Sequence, residues 1–147
     1  MFEVEKLFDD SLKYDFYKIS EHVEIKEISL KIISEIKQEK EYQNFTTKLK
    51  YKIHEYVKNL VCNFYIGFKT QKCIAIPRKK SYYSDKSNFA YRYISYKAFI
   101  FCVNFLRNRG YISEKKGYKA YGGNQKSKTS KYWANKKLYS AYKTVKF

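Results

Sequence analysis

The chain has 147 residues, of which 44% are hydrophobic and 20% aromatic, with one Pro and five Gly. That composition supports a packed core and excludes a disordered or linker-rich chain. The most apolar run, Ala98 to Val103, is far too short to cross a bilayer.

The formal charge is +17, and it is unevenly divided. Residues 1–41 carry eleven acidic and seven basic side chains, whereas residues 42–147 carry three acidic and twenty-four basic ones. The net values are −4 and +21. After Glu114 there are ten lysines and no Asp or Glu. Such a field draws a polyanion and releases its counterions. Nucleic acid is the common polyanion, and an anionic membrane surface the rarer one. The chain therefore reads as an acidic N-terminal helical segment, residues 1–41, followed by a basic domain, residues 42–147.

The acidic segment predicts one or two amphipathic helices. Ile25, Ile28, Ile32 and Ile36 share a helical face, with Ile33 beside it. That face serves either the chain's own core or a second copy or partner protein. Thr46 and Thr47 are candidate N-caps for a helix running through Leu49, Ile53, Tyr56, Val57, Leu60, Val61 and Phe64, with Gly67 as its expected end. Lys72 to Ile76 reads as a short strand stopped by Pro77. A polar, aromatic and basic stretch follows, with room for a short helix around Ser87 to Tyr93.

Ser95 then caps a helix from Tyr96 to Asn108, ended by Gly110. Its core stripe is Phe99, Ile100, Val103 and Leu106. Lys97, Phe101, Asn104 and Asn108 fall on another face. Tyr111 to Lys116 and Ser127 to Trp133 read as strands around a glycine-bearing loop, with Gly122-Gly123-Asn124 as hairpin tip. Trp133 is assigned to the core, and Leu138 to Phe147 to a basic tail with a last helical turn. Cys62, Cys73 and Cys102 read as reduced core thiols of a cytoplasmic protein. The opening MFEVEKLFDD lacks the apolar stretch of a secretory signal.

Catalytic patterns are weak, so the chain reads as a non-enzyme without cofactor or metal. His22 and His54 have no ligand-spaced partners, there is no CxxC pair, and no glycine-rich loop ends in GK[ST]. Glu55, Asp85 and Glu114 are too scattered to hold a nuclease metal.

The order helix, strand, short helix, helix, strand, glycine-rich loop, strand is that of a winged helix-turn-helix. The expected fold is thus α+β and mainly helical, with a C-terminal β-hairpin wing and extra N-terminal helices. A helix at about 95–109 would enter the major groove with Lys97, Asn104 and Asn108, Arg107 and Arg109 lying near the backbone. Asn can bond adenine through both amide atoms, while Lys and Arg suit guanine or phosphate. The wing at about 115–128 would bring Lys115, Lys116, Lys119, Asn124, Gln125, Lys126 and Lys128 to phosphates, with Tyr118 and Tyr121 against sugars. Lys79, Lys80 and Arg92 are further candidate contacts.

The stretch IAIPRKKSYYSDKSNFAYRYISYKAFIFCVNFLRNRGYI, followed by a Gly-containing loop and SKTSKYWANKKL, resembles the winged-helix domains of plasmid and phage replication initiators and related mobile-element proteins. The resemblance spans about residues 72–138. It implies helix contacts from Lys97, Asn104 and Arg107, and wing contacts from Lys116, Lys119, Lys126 and Lys128. Such initiators typically have two winged-helix modules, and this chain has length for one. The resulting expectation is a double-stranded DNA binder, acting as a regulator or replication accessory. The alternatives are a nonspecific RNA or single-strand binder that stacks bases on exposed tyrosines, and a basic module that inhibits a nucleic-acid enzyme.

Overall fold

The structure is a computed structural model and describes residues 16–84, 94–117 and 129–146. The chain is α+β and mainly helical. Its helices are α1 (Phe16–Ser20), α2 (Val23–Ile36), α3 (Lys40–Gln43), α4 (Thr47–Thr70), α5 (Ser81–Ser84), α6 (Tyr96–Asn108) and α7 (Lys136–Lys143). Strands β1 (Ile74–Ile76), β2 (Ile112–Lys115) and β3 (Ser130–Ala134) form one antiparallel sheet in the order β1-β3-β2. Ile74 and Ile76 lie opposite Tyr132 and Ser130, while Ile112 and Glu114 lie opposite Ala134 and Tyr132.

Helix α4 is the centre of the packing. Its start is the expected one: the Thr46 hydroxyl accepts the Leu49 N–H at 3.2 Å. Its end is not. Gly67 lies buried inside the helix, which runs on to Thr70. Gln71 then takes a left-handed φ of 57°, and the Lys72 N–H returns to the Gly67 carbonyl at 3.0 Å. Packing explains the extra turn. Phe68 lies edge-on to Tyr139 at 5.0 Å and beside Tyr65 and Tyr142, so this turn carries apolar contacts that a frayed end would lose.

The isoleucine face of α2 enters the same core. Ile25, Ile32, Ile33 and Ile36 are buried together with Ile53, Val57, Leu60 and Val61 of α4. Each such side chain contributes about 1.5–3 kcal/mol on burial. Of the two roles open to that face, it fills the chain's own core. The acidic segment is also tied to the basic one by polar contacts. Arg109 pairs with Glu39, the Tyr111 hydroxyl donates to Glu35, and the Lys146 N–H donates to Glu24 at 3.2 Å.

Helix α6 follows its expected bounds, although Ser95 makes no side-chain cap bond. The Ser95 N–H instead donates to the Tyr56 hydroxyl at 2.9 Å, which joins the start of α6 to α4. Gly110 ends the helix at φ 77°, where a side chain would be strained, and the Tyr111 N–H reaches the Leu106 carbonyl at 2.9 Å. The expected stripe of Phe99, Ile100, Val103 and Leu106 is buried.

Several expectations need correction. The tail is an eight-residue helix, because Leu138 and Tyr142 bury and the Tyr142 hydroxyl donates to the Val61 carbonyl at 2.5 Å. Cys62 and Cys102 are buried, but Cys73 is exposed just ahead of β1. A one-turn helix forms at Ser81–Ser84, ahead of the place where the sequence left room for one, with the Tyr83 hydroxyl bonded to the Pro77 carbonyl at 2.7 Å. The short helix expected at 87–93 and the hairpin tip at 122–124 lie outside the described residues.

If α2 and α4 share one core, they unfold together. Ile32→Ala should lower stability by about 3 kcal/mol while urea unfolding, followed by circular dichroism and by Trp133 emission, stays a single coincident transition. Separate transitions would show that α2 is an independent unit.

Candidate nucleic-acid interface

The stripe expected to read bases is the face that α6 leaves outside the core. Lys97 and Asn108 are exposed, and Phe101 and Asn104 are half-buried. These residues line a groove of about 400 Å³ whose other side carries Glu39 and Glu41. Lys97 folds its ammonium over the Phe45 ring at 5.4 Å, and Phe45 meets Phe101 edge-on at 5.1 Å. The acidic edge opposes a phosphate strand on the α3 side. Away from that edge, Lys79, Lys80, Lys115 and Lys116 are exposed.

Asn104 and Arg107 already have partners within the chain. Pro77 ends β1 and delivers Arg78 beneath α6. Arg78 donates from Nη2 to Asn104 Oδ1 at 2.6 Å and from Nη1 to the Tyr132 hydroxyl at 2.9 Å, while its carbonyl accepts the Tyr96 hydroxyl at 2.9 Å. Glu114 completes the cluster. Its carboxylate pairs with Arg107 at 3.1 Å and with Arg78 at 3.6 Å, and accepts the Tyr132 hydroxyl. The Glu114 side chain is only 6% exposed, against 31% for each arginine.

Burial pushes the Glu114 carboxyl up. The bonds from Tyr132 and Arg107, with the charges of Arg107 and Arg78, pull harder and hold it below the ordinary carboxylate range. Burial, then the bond to Glu114, raises the Tyr132 phenol to about 12. For bidentate contact with adenine, Asn104 would have to release Arg78, because its Oδ1 is occupied.

The sheet has an inner and an outer face. Ile112, Glu114, Ser130 and Tyr132 point inward by strand alternation, so Lys115, Lys131 and Trp133 point outward. This corrects the assignment of Trp133 to the core: it is 39% exposed, because its neighbour Tyr132 takes the inward place. Lys115 and Lys131 are direct cross-strand partners. Like charges so placed repel, and no carboxylate lies in that register pair. The strands leading to the loop are joined at its foot by the Gly117 N–H, which donates to the Ser130 hydroxyl at 3.1 Å.

The expected contacts thus fall into separate groups. Lys97, Asn104 and Asn108 share the α6 groove, whereas Arg107 turns to Glu114 and Arg109 to Glu39. Lys115 and Lys116 are exposed at the end of β2, and Lys79 and Lys80 are exposed in the turn before α5. Arg92, Lys119, Tyr121, Asn124, Gln125, Lys126 and Lys128, with Tyr118, lie outside the described residues. Sequence reasoning missed Arg78 and the outward Lys131–Trp133 pair. Strict alternation through SKYWA, with Tyr132 inward, was the available signal for the pair; nothing local marked Arg78 as a hub.

No family model matches the chain, and no match to it was found among curated proteins or solved structures.

Two outcomes follow from this geometry. Glu114 stabilises the fold above its unfolded value near 4.5 and loses that contribution as pH falls through its lower folded value. Tyr132 stabilises below 10 and loses its contribution as pH rises through about 12. Thermal unfolding temperature should therefore fall at both ends of that range, and Glu114→Gln should flatten the acid limb while costing about 2 kcal/mol at neutral pH. An unchanged acid limb would contradict the role given to Glu114. Thiol titration should find Cys73 reactive in the folded protein, with Cys62, whose thiol burial raises to about 12, and Cys102 reacting only after unfolding. Rapid reaction of all three would place the burial of Cys62 and Cys102 in error.

Proposed function

We propose that the protein binds nucleic acid as a winged-helix DNA-binding protein, with α6 docked on a duplex and the loop between β2 and β3 along a neighbouring phosphate strand. It acts by binding and not by catalysis, as a regulator or replication accessory. The observation that carries this reading is topological. Helix α4, strand β1, helices α5 and α6, and strands β2 and β3 follow in winged-helix order, with β3 paired between β1 and β2. The charge is a second support, since ten lysines and no carboxylate follow Glu114.

A single-strand or RNA binder is the second reading. Exposed Trp133 on the outer face of the sheet favours it, because an aromatic on a basic sheet is a stacking platform.

Fluorescence anisotropy with a random duplex and its single strand, across a salt series, separates the two. Duplex preference with a steep salt slope supports the winged helix, and single-strand preference supports the stacking reading. Failure to bind either at low salt overturns both. Lys115→Ala with Lys116→Ala should reduce the salt slope by about 2. Asn104→Ala should alter preference among duplex sequences more than affinity for a random one, and uniform loss on every sequence would remove its reading role.

A further inference from the structure

A second cleft lies away from the α6 groove, at the C-terminal end of α4. It measures about 510 Å³, a size common for small-ligand sites, and is lined by Phe68, Lys72, Cys73, Lys115, Trp133 and Tyr139. Phe64, Phe68, Trp133 and Tyr139 give its wall an aromatic part. Trp133 is 39% exposed and Tyr139 44%, so the cleft leaves two large rings open to solvent. Phe68 meets Tyr139 edge-on at 5.0 Å, and Lys143 lies over the Tyr139 ring at 4.9 Å, so Tyr139 is held on two sides. Ser113, opposite Trp133 in the ladder, is small and does not cover the indole.

The charge beside the rings is specific in sign. Lys131 stands two residues before Trp133 on the same face of β3, and Lys115 is its cross-strand partner. Two ammonium groups in direct register repel each other in the free protein. An anion between them removes that repulsion, whereas an apolar peptide does not. The occupant must therefore combine a flat ring system with an adjacent negative charge.

We propose that this cleft is a nucleotide-stacking site, which takes one unpaired base against Trp133 and that nucleotide's phosphate at Lys115 and Lys131. The proposal rests on the nucleic-acid reading above and adds a place where an unpaired stretch beside the duplex, or a single strand, is held. A base inside a duplex is stacked on both faces and offers none to the indole, so the cleft favours single-stranded over double-stranded DNA.

The chain carries its own reporters. Trp133 is its only tryptophan, and exposed Cys73 lines the same cleft. The full chain is titrated with octathymidylate and with a blunt duplex, each labelled so that anisotropy reports binding independently. The expected result is that octathymidylate quenches Trp133 and slows Cys73 labelling in step with the anisotropy isotherm, while the blunt duplex does neither. Tyr139→Ala, with folding checked by circular dichroism, should weaken octathymidylate binding about tenfold and leave blunt-duplex binding unchanged. Binding of octathymidylate with Trp133 emission and Cys73 labelling unaltered would overturn the cleft and leave the nucleic-acid reading standing. Equal quenching by both ligands would overturn base stacking. If neither DNA binds, both readings are overturned. The quenching and labelling arms use the unsubstituted protein, so the test survives a variant that does not fold.

Discussion

Four pieces of chain meet at the carboxylate of Glu114. The segment after β1 supplies Arg78, α6 supplies Arg107, β3 supplies Tyr132, and β2 supplies the carboxylate itself. A lone carboxylate this deeply buried would be strongly unfavourable. Here two guanidinium groups and a phenol answer it, and each of those groups is oriented in return. The setting of α6 against the sheet depends on this cluster, since Arg78 also grips Asn104 and, through its carbonyl, Tyr96. Hydrophobic packing alone would tolerate small rotations of α6. Directional bonds to a planar guanidinium do not. The last acidic residue of the chain thus fixes the angle of the helix on which the proposed duplex contact depends.

The same cluster divides the positive charge by task. Arg78, Arg107 and Arg109 are turned toward carboxylates, whereas Lys115, Lys116 and Lys131 are left on the surface. This matches the two side chains. The guanidinium is weakly hydrated and suits half-buried paired sites, while the ammonium is strongly hydrated and stays at the water boundary. The acidic N-terminal segment is selective in its contacts as well. Glu24, Glu35 and Glu39 engage Lys146, Tyr111 and Arg109, which leaves the outer face of the sheet without an acidic neighbour across its register pairs.

Much of the fold was legible because its signals are local. Periodicity gave α2, α4 and α6, Thr46 gave the start of α4, Gly110 the end of α6, and Pro77 the end of β1. The misses arose where distant packing decided the outcome. Gly67 looked like a stop, but Phe68 had aromatic partners in α7 that held a further turn. Residues 138–147 looked like a tail for the same reason seen from the other side. The candidate site was legible as a stripe of residues, though not as chemistry. Lys97, Asn104 and Asn108 do share a face, yet nothing near Asn104 in sequence reveals that Arg78 occupies its carbonyl oxygen. Trp133 was misread because size and hydrophobicity argued for burial, while strand alternation argued against it. Alternation prevailed because only one of two adjacent residues in a strand can face inward.

The clasp between the two ends of the described fold has a consequence for the order of assembly. His22 caps α2 through Nδ1 and touches the Lys146 carbonyl through Nε2 at 2.6 Å, while Glu24 holds the Lys146 amide. Residues separated by 124 positions are thereby brought together. Closing so long a loop is entropically unfavourable until the intervening chain is already compact. The contact therefore belongs to the last stage of folding. Just ahead of that clasp, Tyr139 and Tyr142 of α7 pack on Tyr65 and Phe68 of α4, and Tyr139 lines the aromatic cleft. The second cleft therefore depends on the far end of the chain, since Tyr139 of α7 supplies part of its wall, whereas the α6 groove draws on no residue of α7.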